Sequence, residues 1–189
     1  MNIVERVKRL CLSPDPEWSV IAAEPATLGG LITGYALPLA ALSAIGSLLG
    51  SLLWLGSFGF GFAVRAAVIG LVMSLVGVVV LSVVVDALAP TFGAAKNSTS
   101  AAKVAAYSPT PAWIGGFFQI IPYLGSVIAL IGALYSLYLL YLGLMRVMKS
   151  PADKAVGYTV VVVIICIVVG FVASYIATMI GLGPSMRIV

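Results

Sequence analysis

Between Arg65 and Asp86 the chain reads AAVIGLVMSLVGVVVLSVVV, residues 66–85, with no charged side chain. An α-helix rises 1.5 Å per residue, so about twenty apolar residues cross the roughly 30 Å of hydrocarbon in a bilayer. Within hydrocarbon the backbone must satisfy its own hydrogen bonds, which makes such a run a helix. The pattern repeats along the chain. Residues 155–186 are also free of charge, and residues 25–64 and 104–145 form two further uncharged runs of about forty residues each. The fold class is all-α, in a polytopic membrane protein.

Composition agrees, with 62% hydrophobic and 8% charged residues and a mean hydropathy of +1.19, against about 25% charged in a soluble domain. The length of 189 residues suits a single bundle. The net charge of +4 is not gathered into a basic cluster interleaved with aromatics. No nucleic-acid partner is expected, and the charge is read as topological, positive residues marking the cytoplasmic side. Histidine is absent, and Cys11 and Cys166 have no metal-ligand spacing. No metal or cofactor is expected.

At helical spacing Ile3, Val7, Leu10 and Cys11 share one face of the amino-terminal segment, and Glu5, Arg6, Lys8 and Arg9 take the other. This reads as an interfacial amphipathic helix lying on the membrane. It is not a signal peptide, because no apolar core follows its basic residues. Asp15, before Pro16 and Glu17, reads as the start of a second short helix. Trp18 suits the headgroup layer. Residues 1–24 are therefore assigned to a cytoplasmic segment and residues 25–189 to a transmembrane domain.

The first span is predicted over residues 28–55, the second over 64–88 and the last over 155–182. Residues 104–145 cross twice if the chain turns near Pro122. Arg6, Lys8, Arg9, Lys96, Lys103, Arg146, Lys149 and Lys154 then share the cytoplasmic side, leaving Arg65 and Arg187 opposite. A single crossing would move three cations outside, against the charge bias. Five spans with a cytoplasmic amino terminus follow. The third is short or broken: Pro109 and Pro111 interrupt it, Pro122 ends it, and about eleven residues are clearly helical, half a bilayer. Small residues at four-residue spacing (Gly30 with Gly34, Gly46 with Gly50, Ala129 with Ala133, Gly132 with Ser136) are read as packing within the chain. Residues 56–62, GSFGFGF, read as an outer loop.

Among polar groups near the membrane, Asp86 ends the second span and Glu24 precedes the first. A structural role for Asp86, pairing with Lys96, Lys103 or a tyrosine, is favoured over an ion site. Tyr135 on the fourth span and Gln119 on the third need hydrogen-bond partners in hydrocarbon, and a bundle-core bond is the expected use. No nucleophile elbow, zinc-protease helix or phosphate-binding loop occurs. No catalytic residues are assigned.

An ordered series of strings carries a resemblance: Ser13-Pro14, Trp18, Glu24, then Tyr35-Ala36-Leu37-Pro38-Leu39, then Tyr107-Ser108-Pro109-Thr110-Pro111-Ala112-Trp113, then Ile121-Pro122 and Gly125, continuing as Tyr135-Ser136-Leu137-Tyr138 and Gly157-Tyr158. Together they resemble the bacterial branch of the Yip family, the Ypt/Rab-interacting membrane proteins. The resemblance implies five transmembrane helices and a cytoplasmic amino terminus. Eukaryotic relatives are associated with Rab GTPases, vesicle traffic and membrane organisation. Their long acidic amino-terminal region has no counterpart before the first span here, so a GTPase partner is not carried over.

The function expected is that of a non-enzymatic integral protein of a bacterial inner membrane. It would organise membrane or scaffold protein partners, in contact with lipids and with a second copy of the chain as one option. The alternative is a small channel or carrier for an ion, solute or lipid, motivated by the broken third helix, Asp86, Gln119 and Tyr135. Candidate partner, lipid or solute contacts are Glu24, Asp86, Lys96, Lys103, Tyr107, Pro109, Pro111, Trp113, Gln119, Pro122 and Tyr135, with the cytoplasmic surface at Lys96, Lys103 and Lys149.

Overall fold

The structure, a computed structural model, describes residues 2–54 and 59–179, and all its regular elements among those residues are helices. Helices α1 (Ile3–Leu12) and α2 (Pro14–Ala23) form an amino-terminal pair. The long helix α3 runs Leu28–Trp54, followed by α4 (Phe60–Leu88), α5 (Ser98–Tyr107), α6 (Thr110–Phe117), α7 (Leu124–Arg146) and α8 (Ala152–Met179). Turns of 3-10 helix, Ala89–Phe92 and Phe118–Ile120, close α4 and α6. Of these helices, α3, α4, α7 and α8 are long and apolar enough to cross a membrane. Their outward positions are apolar too: Val68, Val72, Val76 and Val83 on α4 and Ile164, Ile167 and Phe171 on α8 are exposed.

Helix α3 is irregular for a sequence reason. Pro38 has no N–H to offer the carbonyl of Gly34, so the regular ladder fails there. The chain widens into a π turn over Ile32–Ala36, and the Leu37 N–H reaches back to the Ile32 carbonyl. That turn carries Tyr35 into the core, where it is 1% exposed.

The segment between α4 and α7 is the broken element. Helix α5 was not anticipated from the sequence, yet Ala101 through Tyr107 are buried in succession. The chain then turns at Ser108 and Pro109 and resumes as α6, eight residues long. Glycines explain how so short a helix is held. A Cβ on Gly46 would overlap the Phe117 backbone, and one on Gly50 the Gln119 carbonyl. On the other side, Gly125 and Gly132 of α7 lie equally close to the Phe118 and Pro111 carbonyls. Helix α6 thus lies between α3 and α7, backbone to backbone, and its chain reverses at Tyr123 with φ 58°. The Gly46, Gly50 and Gly132 spacings work as packing, as expected. Gly34 meets nothing within 4 Å and Gly30 meets only Thr27 of its own cap, so that pair packs against no other element.

Three local readings change. Helix α2 starts at Pro14 with Ser13 before it, and Asp15 instead pairs with Arg146 at 2.7 Å. Trp18, expected to face the headgroup layer, is fully buried in the protein, because Gly143 leaves room for its indole against α7. Phe60, Gly61 and Phe62 of the expected outer loop already belong to α4, while its residues 56–58, and residue 55 at the expected end of the first span, lie outside the described residues. The end of the last span and Arg187 lie outside them as well.

Candidate functional site

The amino-terminal pair and the start of α3 meet α5 around a cluster of charge. On α1, Ile3, Val7 and Leu10 face the bundle as the periodicity requires, but Arg6 goes with them and is 4% exposed. Its position explains why: Arg6 lies three residues after Ile3 and four before Leu10, on the edge of the apolar stripe. The guanidinium is met by two carboxylates. Nη1 donates to Glu17 of α2, and Nη2 donates to both oxygens of Glu24 at 2.5 and 2.6 Å. Arg9 stands 3.9 Å from the second oxygen of Glu17. Burial draws the Arg6 pKa down, but the hydrogen bond it donates to Glu24 and the charges of Glu17 and Glu24 more than offset it, so the net shift is upward.

Tyr107, at the end of α5, forms the aromatic side of the cluster. The Arg6 guanidinium sits 5.6 Å from its ring centroid. Trp18 meets the ring edge-on at 6.3 Å, and Tyr35 packs at 4.5 Å. The Tyr35 hydroxyl is 2.8 Å from Thr110 Oγ1, and the Thr110 hydroxyl donates to the Tyr107 carbonyl at 2.6 Å, which ties the break between α5 and α6 to α3. The Trp18 indole N–H has no hydrogen-bond partner among the described residues.

Lys103, expected at an exposed cytoplasmic surface, is 5% exposed and donates to the Ala22 carbonyl at 3.0 Å. Helix α5 packs into the bundle and takes the side chain with it. Burial lowers the Lys103 pKa, with Glu24 acting in the opposite sense. Glu24, Lys103 and Tyr107 therefore come together, lining one cleft of about 560 Å³ with Thr27 and Gly30.

The remaining candidates lie elsewhere. Asp86 accepts from the Asn97 N–H at 2.8 Å, and Asn97 in turn caps α5 through Ser100. Its role is to close the α4–α5 connection, with a backbone partner where Lys96, Lys103 or a tyrosine was expected. Asp86 and Lys96 do line a second cavity of about 430 Å³. Pro109 borders an apolar cavity of about 320 Å³ facing α8. Pro111 is buried against Gly132, and Trp113 donates to Ser74 Oγ at 2.7 Å, linking α6 to α4. Gln119 is exposed near Gly50, instead of buried in the bundle, and Pro122 begins the reversal into α7. Tyr135 does find a partner, the Cys11 carbonyl at 3.0 Å, so it holds α1 to α7. Sequence reasoning missed Arg6, Glu17, Tyr35 and Thr110. For Arg6 the stripe position was an available signal, whereas the other three depend on contacts between distant segments.

Residues 8–181 match the family model described as the Yip1 domain. The chain belongs to the Yip1 domain family. Neither a curated protein nor a solved structure matches it. Membership spans the whole cluster except Arg6, and with the four long apolar helices it makes this an integral, multi-pass membrane protein.

Proposed function

We propose that this Yip1 domain protein is a non-enzymatic organiser of the bacterial inner membrane, scaffolding protein partners at its cytoplasmic end. In this reading the chain crosses five times, α6 with its 3-10 turn being the short third crossing, and α1 rests at the cytoplasmic headgroup layer. The observation that carries the reading is the way the broken helix is held. Backbone-to-backbone packing of α6 on α3 and α7 leaves no slack between the broken helix and those two neighbours, which supports a structural use of the break. At the end of the molecule carrying α1 and α2, Lys96, Lys149 and Lys154 are exposed. With Lys103 removed from that surface, these three cations are the contact points for partners or acidic lipids.

Crosslinking in native membranes tests this reading. The wild type should yield specific adducts that Lys96→Glu with Lys149→Glu removes, while purified protein in liposomes moves no ion or lipid above background. Adducts that survive charge reversal, or measurable flux, would overturn it.

A further inference from the structure

The cleft beneath the linker between α2 and α3 has opposite charges at its border that do not pair with each other. Glu24 keeps 40% of its side chain exposed, and its ion pair among the described residues is with Arg6. Lys103 lines the same cleft, and among the described residues its ammonium donates one hydrogen bond, to the Ala22 carbonyl. An ammonium has three donors, so two remain for whatever enters the cleft. A 95% buried cation with unused donors is an expensive arrangement unless an anion completes it.

The other walls fit the same anion. Thr27 caps α3 by accepting from the Gly30 N–H, and its hydroxyl hydrogen remains to donate. The start of α3, a helix of 27 residues, adds the positive end of its dipole at this wall, while the Gly30 and Leu31 N–H groups that line the cleft are taken by Thr27. A simple phosphate would suit Lys103 and this helix start, yet it would meet repulsion from Glu24. A phosphate joined to a primary amine turns that acid into a partner, because the carboxylate retains lone pairs beyond those used by Arg6. A trimethylated amine would have no N–H to give. Nor does the ring of Tyr107 offer it a face, since Arg6 and Tyr35 pack there.

We propose that this cleft binds a phosphoethanolamine group, the phosphate on Lys103 and the start of α3 and the amine on Glu24. Its volume of about 560 Å³ is ample for a small ligand. The source favoured by placement is a phosphatidylethanolamine headgroup. Gly34, four residues on from the cleft-lining Gly30, meets nothing within 4 Å, so an acyl chain can lie along α3 as it leaves the cleft. The inference uses the membrane placement proposed above but not the scaffold role. Losing headgroup selectivity would leave protein crosslinks at Lys96 and Lys149 unchanged, so the two readings fail separately.

Native mass spectrometry of the full chain from detergent micelles doped equally with phosphatidylethanolamine, phosphatidylglycerol and phosphatidylcholine tests it. The wild type should retain phosphatidylethanolamine about tenfold over the other two, a preference of roughly 1.4 kcal/mol. Lys103→Met should lose the bound lipid, and Glu24→Gln should lose the discrimination against phosphatidylglycerol while keeping lipid bound. Circular dichroism would check that both variants are folded. If either variant misfolds, wild-type selectivity among the three lipids decides the matter alone. Displacement by free phosphoethanolamine would support the same site with a soluble source, whereas resistance to it would support the lipid. Equal retention of the three lipids, or unchanged selectivity in both folded variants, would overturn the proposal.

Discussion

Removing the Arg6 guanidinium would strand Glu17, itself 4% exposed, beside a half-exposed Arg9 at 3.9 Å. An uncompensated buried charge costs about 3–5 kcal/mol, so Arg6→Ala should loosen α1 and α2 by an effect of that order. The double change Arg6→Met with Glu17→Met should cost less, because it removes both charges. Hydrogen exchange over α1 and α2 in detergent would separate the two outcomes. Lys103 makes a different prediction. Its folded pKa lies below the ordinary 10.5, so the unfolded chain binds this proton more tightly. The charged side chain therefore burdens the fold at neutral pH, and that burden lifts as pH rises through the folded pKa toward 10.5. Wild-type stability relative to Lys103→Met should increase over that alkaline range, as read by thermal unfolding at stepped pH. These residue environments were only partly legible. Glu24, Lys103 and Tyr107 stood out in the sequence as charged or aromatic groups near a span. Their convergence depends on α5 folding back into the bundle, which no periodicity within α5 announces.

At the scale of elements, the glycines divide into two sets. Gly46 and Gly132 face backbone that has no room for a Cβ, whereas Gly34 and Gly70 face open space. Gly46→Ala and Gly132→Ala should each destabilise the bundle by about 1–3 kcal/mol, since a main chain on both sides cannot move aside. Gly34→Ala and Gly70→Ala should be neutral or gain about 0.5–1 kcal/mol from reduced backbone freedom. Thermal unfolding of the four variants in one detergent checks the division. The long helices were legible within a few residues because each run of apolar side chains has a charge or proline at its edge. The π turn before Pro38 was not read, although its cause is a single missing donor. Helix α5 escaped for another reason. Its serines, alanines and lysine resemble a polar connection, and only neighbouring helices bury them.

For the whole molecule, the question is whether the short third element changes the side on which the chain emerges. Tyr123, 91% exposed at the reversal between α6 and α7, is the place to ask. In a background lacking Cys11 and Cys166, Tyr123→Cys should react with an impermeant thiol reagent from the same side as Arg65→Cys. Lys96→Cys and Lys149→Cys should react from the other. Labelling of Tyr123→Cys together with Lys96→Cys would mean that the third element does not cross. The overall helical architecture was evident from charge-free stretches, but docking of α1 and α2 was not. It depends on pairings such as Asp15 with Arg146 and Cys11 with Tyr135, separated by 131 and 124 positions. Those separations have a consequence for biosynthesis. At the roughly 5–20 residues per second of translation, the ribosome needs about 7–26 s after making Asp15 to reach Arg146. Until then the leading helices have no berth, and Arg6, Glu17 and Glu24 stay wetted until the finished bundle can enclose them.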